Sequence, residues 1–185
     1  MKNARFNSRR PGKPKRLVAH LHPRGTRPVV ATIHATVPPN TPVQVQLDYA
    51  WAAGFLDGEG CVSLVRVWRT CGNRINYRVR VQISQNCLQT LEHFQQVVGE
   101  SGVLKRLVDR ESYTRPVYQL LYDGLHAHRL LHKLRPYLVR KAAEADVVFE
   151  YYRDGQPTRH FGPKGVPAEI WHFRERCFEA LRCLK

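Results

Sequence analysis

The stretch Trp51–Val62 reads Trp-Ala-Ala-Gly-Phe-Leu-Asp-Gly-Glu-Gly-Cys-Val. Its first half continues Tyr49-Ala50 as a helix, with Asp48 in the place of an N-cap. The glycines at 58 and 60 then stop it. Cys61-Val-Ser-Leu-Val-Arg-Val-Trp68 follows, β-branched and partly alternating, so the chain passes from a helical period to a strand period almost without a connection. On the helix Ala50, Gly54 and Gly58 share one stripe at i, i+4 and i+8, with Ala53 and Asp57 beside it. Small residues in a row let a second backbone come close, because no side chain holds it away. Two acids, Asp57 and Glu59, stand at the end of the helix, where the macrodipole disfavours a carboxylate. A divalent cation is one thing that offsets that cost; an ordinary acidic turn is the other reading.

Outward from this stretch the pattern stays regular. Gly72-Asn73 marks a turn, and Asn76–Ser84 alternates strictly. Tyr77, Val79, Val81 and Ile83 share one face of that strand, and Arg78, Arg80, Gln82 and Ser84 the other. A polar face with two arginines, a glutamine and no acid is matched to the edges of guanine and adenine; a solvated sheet face in a basic protein is the other reading. Leu88–Val98 has helical spacing and stops at Gly99, and Val103–Val108 with Val117–Tyr122 reads as a second hairpin. Asp123 is expected to cap a helix from Leu125 to just before Pro136, with further helices over Leu138–Tyr152 and Val166–Leu184. The fold class is therefore α+β, with a core in the order αββαββα over residues 47–153 and a helical extension over 154–185.

Upstream the composition changes. The chain has 185 residues, 30 Lys and Arg and 15 Asp and Glu, for a net charge of +15. Residues 1–47 hold nine of the bases, seven of the twelve prolines and no acid. Residues 1–46 are thus read as a basic, Pro-rich arm outside the core. Val43–Leu47 alternates like a short edge strand. Three readings of the arm stay open: a segment lying on phosphates, an organelle transit peptide, or a translated stretch with no role. So much positive charge points to a nucleic acid or another anionic partner. No run approaches the roughly 18 apolar residues of a membrane span, so no membrane partner is expected. The five cysteines are odd in number and form no CxxC pair, which disfavours a disulfide framework or a zinc module. Each is read as a small buried hydrophobe, in an intracellular setting: a bacterial cytoplasm, a mitochondrion or a chloroplast. His128 and His132 stand at i, i+4, but no acid or cysteine nearby completes a metal site, so they are read as a solvated helix face. Cys177, Cys183 and His172 do not share a helix face and are not read as ligands.

Trp51–Val62 resembles the signature of the LAGLIDADG homing endonucleases, with Gly-Phe-Leu-Asp-Gly-Glu-Gly-Cys as a form found within that family. The αββαββα order is the family's half-unit. Ile83-Ser-Gln-Asn86 resembles the segment that carries an active-site polar residue, here Gln85. Leu134-Arg-Pro-Tyr-Leu-Val-Arg-Lys141 resembles the segment that ends in the active-site lysine, here Lys141. One departure is Gln89, where the family has a basic residue.

The resemblance implies a site-specific endonuclease that hydrolyses both strands of a long, nearly palindromic DNA site. One signature per chain implies a homodimer joined along Ala50, Ala53, Gly54, Asp57 and Gly58. The active site would hold Glu59, Gln85 and Lys141, with Mg²⁺ between the paired Glu59 carboxylates and on the Gly58 carbonyl. Mn²⁺ or Ca²⁺ would replace Mg²⁺ for binding. The sheet would read double-stranded DNA through Ser63, Arg69, Asn76, Arg78, Arg80, Gln82, Lys105 and Gln119, with apolar contacts from Val65 or Leu121. The alternative is a non-cleaving binder on the same scaffold, such as an intron maturase, a regulator or an RNA-associated protein, for which intron RNA is the further partner.

Overall fold

A computed structural model describes residues 40–69, 74–107, 116–162 and 165–185; the Gly72-Asn73 turn, Cys71 and most of the basic arm lie outside these. The chain forms α1 (Val43–Glu59), β1 (Gly60–Arg69), β2 (Arg74–Gln85), α2 (Leu88–Val98), β3 (Val103–Leu107) and β4 (Val117–Asp123). Then come α3 (Leu125–Leu134), a short 3₁₀ turn at Arg135–Tyr137, α4 (Ala142–Arg153) and α5 (Ala168–Cys183). The αββαββα order is as the sequence indicates, followed by α4 and α5, the two further helices it also indicates. Among the described residues, no helix is long and apolar enough to cross a membrane.

The strands make one antiparallel sheet in the order β1-β2-β4-β3. The strict alternation of β2 places Tyr77, Val79, Val81 and Ile83 in the core, all at most 3% exposed. Cross-strand pairing puts Val62 opposite Val81 and Leu120 opposite Ile83, so Val62, Leu64, Leu120 and Tyr122 join the same face. Helices cover this face with Leu56, Leu91, Phe94, Leu130, Leu131, Leu134 and Val148, all buried. Each such side chain contributes about 1.5–3 kcal/mol on leaving water, which sets the sheet's register as well as its stability. Among the described residues, the opposite face carries no helix.

Five local readings are corrected. Val43–Leu47 is helix, not strand: the Gln46 amide N–H reaches the Pro42 carbonyl at 3.1 Å, and Gln44 reaches Asp48 one turn on at 2.8 Å. Asp48 therefore lies inside α1 rather than capping it, and α1 starts within the stretch assigned to the arm. Asp123 does not cap α3; Gly124, with φ of 61°, takes the N-cap position. The helix expected from Leu138 begins only at Ala142, because the backbone N–H groups of 139–141 turn to a carboxylate of α1. Of the four described cysteines only Cys177 is buried; Cys61 is half-buried, and Cys87 and Cys183 are exposed.

The extension closes one end of the core. Cys177 and Leu181 of α5 are buried, Glu175 accepts from Tyr77 and Arg66, and Arg66 lies 4.2 Å over Phe178. Tyr151 of α4 donates to the Tyr77 carbonyl at 2.8 Å, so α4 and α5 grip the same strand.

Candidate active site and nucleic-acid face

α1 runs into β1 without a loop. Gly60 is extended, and its N–H still reaches the Leu56 carbonyl. A Cβ at Gly60 would stand 2.7 Å from the Leu56 oxygen and closer still to the Leu56 side chain, so only glycine fits the junction. Gly54 and Gly58 differ: among the described residues, a Cβ on either would meet nothing within 4 Å. They are exposed, together with Ala50. Val43 (72% exposed) and Leu47 (59%) extend the same stripe toward the N-terminus. The helix thus presents a bare row of apolar and small residues that ends at exposed Glu59. Ala53 is not part of it; it is fully buried in the chain's own core.

Asp57 is also not part of the open row. Its carboxylate accepts the N–H groups of Val139 (2.8 Å), Arg140 (3.1 Å) and Lys141 (2.8 Å), the donors left over just before α4. Lys141 returns the contact. Its Nζ donates to the Asp57 carbonyl at 2.8 Å, joined there by Arg140 Nη1 at 3.3 Å, and the lysine is only 3% exposed. Two cations therefore sit at the negative end of α1 and offset the macrodipole, a cost for which the sequence left a divalent cation and an ordinary acidic turn both open. The result is a tie between the C-terminus of α1 and the N-terminus of α4, with Lys141 bound to Asp57, the residue just before Gly58 and Glu59 in the chain.

Gln85 ends β2 in phase with Ile83, whose partner is Gly60, so the strand end abuts the α1–β1 junction. Its Oε1 accepts the Asn86 N–H at 2.8 Å. Glu59, Gln85 and Lys141 thus come from three elements that meet at this junction. Gln89 is exposed on α2 and adds no positive charge. One residue here was missed in the sequence. Glu144, on the first turn of α4, is 7% exposed, and its Oε2 has no hydrogen-bond partner. Burial pushes its carboxyl above the usual range, and Lys141 draws it back down.

Among the described residues, no group of three or more His, Cys, Asp or Glu is placed to hold a metal ion. One copy offers Glu59 and the Gly58 carbonyl, since Asp57 is taken up by three backbone donors. Carboxylate and carbonyl oxygens suit a hard divalent cation in kind, but too few come from one chain.

The helix-free face of the sheet carries the other group of residues. Cross-strand pairs Ser63–Arg80, Val65–Arg78, Arg80–Asp123, Gln82–Leu121 and Lys105–Gln119 put all of these on one surface. Ser63, Asn76, Arg78, Arg80, Gln82, Lys105 and Gln119 are there as the strand phase requires. The side chain of Arg69 lies outside the described residues. Arg78 and Lys105 are exposed, and Gln119 donates to Ser84 Oγ at 3.4 Å. Arg80 is not free. Its Nε and Nη2 donate to the two Asp123 oxygens at 2.7 and 2.9 Å. The Arg80 guanidinium holds the Asp123 carboxyl below the usual range.

The DNA endonuclease I-CvuI of Chlorella vulgaris is 32% identical to this chain over 110 residues, 57% of this chain and 63% of that protein. The chain therefore spans a little under two thirds of that relative's length. A crystal structure of homing endonuclease I-CvuI, bound to uncleaved DNA in the presence of Mg, superposes with a TM-score of 0.65 at 22% identity. That match covers 78% of this chain and 85% of the other. The archaeal intron-encoded homing endonuclease I-Vdi141I, complexed with DNA, gives a TM-score of 0.59 at 14% identity, over 76% and 85% of the two chains. The group I intron-encoded homing endonuclease I-CeuI, also with DNA, gives 0.52 at 14%, over 74% and 69%. No protein-family model matches the chain.

Proposed function

We infer that this chain, which has the fold and the signature helix of the LAGLIDADG homing endonucleases, is a site-specific DNA endonuclease that works as a homodimer. The observation that carries this reading is the bare α1 stripe Val43-Leu47-Ala50-Gly54-Gly58, which leads to an exposed Glu59. Two such helices packed along their small residues bring two Glu59 carboxylates and two Gly58 carbonyls together. That doubled donor set fits a hard cation where one copy does not, and Mg²⁺ is the choice that suits oxygen ligands and retained waters. Bound there, the cation would supply charge neutralisation on the phosphate and acidify a water.

The rest falls to the chain's own residues. Lys141 is held beside the junction by Asp57, so its ammonium needs no rearrangement to stabilise charge developing on a phosphate oxygen. Its position is fixed from both sides, by the Asp57 carboxylate on its N–H and the Asp57 carbonyl on its Nζ. Gln85 has a side-chain amide to orient water at the same junction. The open face of the sheet, with Arg78, Arg80, Gln82 and Lys105, binds duplex DNA, and its arginine and glutamine side chains read base edges. I-CvuI being a DNA endonuclease, and the DNA in its structures, support the same reading.

Incubation with Mg²⁺ and the uninterrupted DNA flanking the protein's own gene tests this. The wild type is expected to cut both strands. Glu59→Gln is expected to bind within about tenfold of wild type, about 1.4 kcal/mol, and not to cut. Binding without cutting by the wild type favours the non-cleaving scaffold instead.

A further inference from the structure

We propose that Asp123 is a specificity-positioning residue, which aims the Arg80 guanidinium at a guanine in each half of the DNA site. The inference rests on the sheet being the reader of duplex DNA.

The geometry is that of a side-on clamp. Arginine has five N–H groups in a fixed plane. Asp123 takes the Nε–H and one Nη2–H, at 2.7 and 2.9 Å. Two N–H on Nη1 and one on Nη2 stay free of Asp123. One N–H on each Nη points off the end of the guanidinium, and that pair can meet O6 and N7 of guanine in the major groove. The carboxylate therefore occupies the side-on edge and leaves the end-on edge as the one that can read.

The clamp is itself held. Arg80 and Asp123 are direct cross-strand partners on β2 and β4. Just beyond Asp123, the Gly124 N–H donates to the Val79 carbonyl at 2.8 Å, fixing the backbone at that point. Arg78 Nη1 approaches Asp123 at 3.9 Å, so the acid sits between two cations rather than alone on a DNA-binding face. Ser101, Gly102, Val103, Lys105, Leu121 and His126 complete the concave wall beside the pair. An acid on a surface meant for phosphates costs affinity for DNA in general. A gain in selectivity is what offsets that cost, because an arginine held in one orientation makes its bidentate contact without first losing rotamer freedom.

The test is selection from a randomised DNA duplex library, with Ca²⁺ in place of Mg²⁺ so that bound duplex is recovered, using wild type, Asp123→Asn, Arg80→Gln and the double variant. Arg80→Gln identifies the base pair that Arg80 reads. Asp123→Asn is expected to lower the guanine preference at that same base pair by roughly tenfold or more. It is expected to raise affinity for random duplex, since a negative charge leaves the face. The double variant should be no less selective there than Arg80→Gln alone. Thermal melting of each variant reads the fold independently. If Asp123→Asn does not fold, Asp123→Glu keeps the charge, displaces the guanidinium, and is expected to weaken preference at that base pair. An unchanged profile for Asp123→Asn overturns the proposal. So does a change confined to a different base pair, which would make Asp123 a direct reader of cytosine. A uniform loss of affinity across all sequences also overturns it. Absence of any sequence preference in the wild type overturns the DNA-reading function itself, and is distinguishable because it appears before any variant is compared.

Discussion

Gly54, Gly58 and Gly60 lie within one turn or two of each other and are glycine for different reasons. At Gly60 the space is filled from inside the chain by Leu56; at Gly54 and Gly58 it is empty on this chain's side. Gly60→Ala should therefore destabilise the folded protein by about 1–3 kcal/mol, the usual cost of forcing atoms into a packed site, seen as a lower urea midpoint. Gly54→Leu should leave the fold of the single chain intact and block close helix pairing. Sedimentation is expected to show dimer for the wild type and monomer or aggregate for Gly54→Leu; an unaltered dimer for the variant would disprove pairing along this stripe. The signature stretch announces all three glycines, yet nothing in it separates the two kinds. Asp57 and Ala53 were beyond reach in the same way. Both lie next to the stripe on a helical wheel, and only packing shows that one is capped by backbone donors from residues 139–141 and the other is in the core.

The elements are held by buried polar pairs as well as by apolar contact. Arg135, in the turn after α3, donates through Nε and Nη2 to Asp146 of α4 at 2.7 and 2.8 Å, and both residues are at most 8% exposed. Removing one partner strands a buried charge. Arg135→Met should cost about 3–5 kcal/mol, while Arg135→Met combined with Asp146→Leu should recover most of it. Urea melts of both variants check this; equal losses would show that the pair, not the stranded acid, carries the stability. The α3–α4 contact also contains a pH response. His132 is exposed, as a solvated helix face requires, while His128 is half-buried; both rings also stack on α4, His128 on Tyr152 and His132 on Phe149, with centroids 4.1 and 4.2 Å apart. Burial, then His132 and Arg129, lowers the His128 pKa from 6.5 to about 4. The folded chain keeps this ring neutral while the unfolded chain protonates it. Its contribution is complete above about 6.5 and is lost as the pH falls toward about 4. His128→Leu should flatten the fall in melting temperature across that window, and an unaltered pH profile would contradict the burial argument. Element positions were legible where one face is buried, as in the strict alternation of β2 and the helical spacing of Leu88–Val98. They were misread where a partner outside the element decided the outcome. α4 starts late because Asp57 takes its leading donors, and Asp123 is claimed by Arg80 before it can cap α3.

For the whole molecule, the two faces of the sheet divide the work. One face is covered and holds the core; the other, uncovered among the described residues, carries Arg78, Arg80, Gln82 and Lys105. Strand phase alone placed those residues together, because a period of two admits no other sharing of faces. That Glu59, Gln85 and Lys141 form one site is what the family resemblance implies; the three are far apart in the chain, and strand and helix periods say nothing of their grouping. The proposed pairing of two copies draws on the same geometry: among the described residues one copy offers too few oxygen donors for a cation and leaves the α1 stripe uncovered.

That two copies share one active site is the central claim, and mixed dimers test it most directly. Wild-type and Glu59→Gln chains with different tags can be co-expressed, the mixed dimer purified through both tags, and its cleavage of the target measured with Mg²⁺. A site built from both Glu59 side chains predicts that the mixed dimer binds the target but loses cleavage of both strands, leaving at most a single-strand nick. Cutting of both strands at the wild-type rate by the mixed dimer would contradict it.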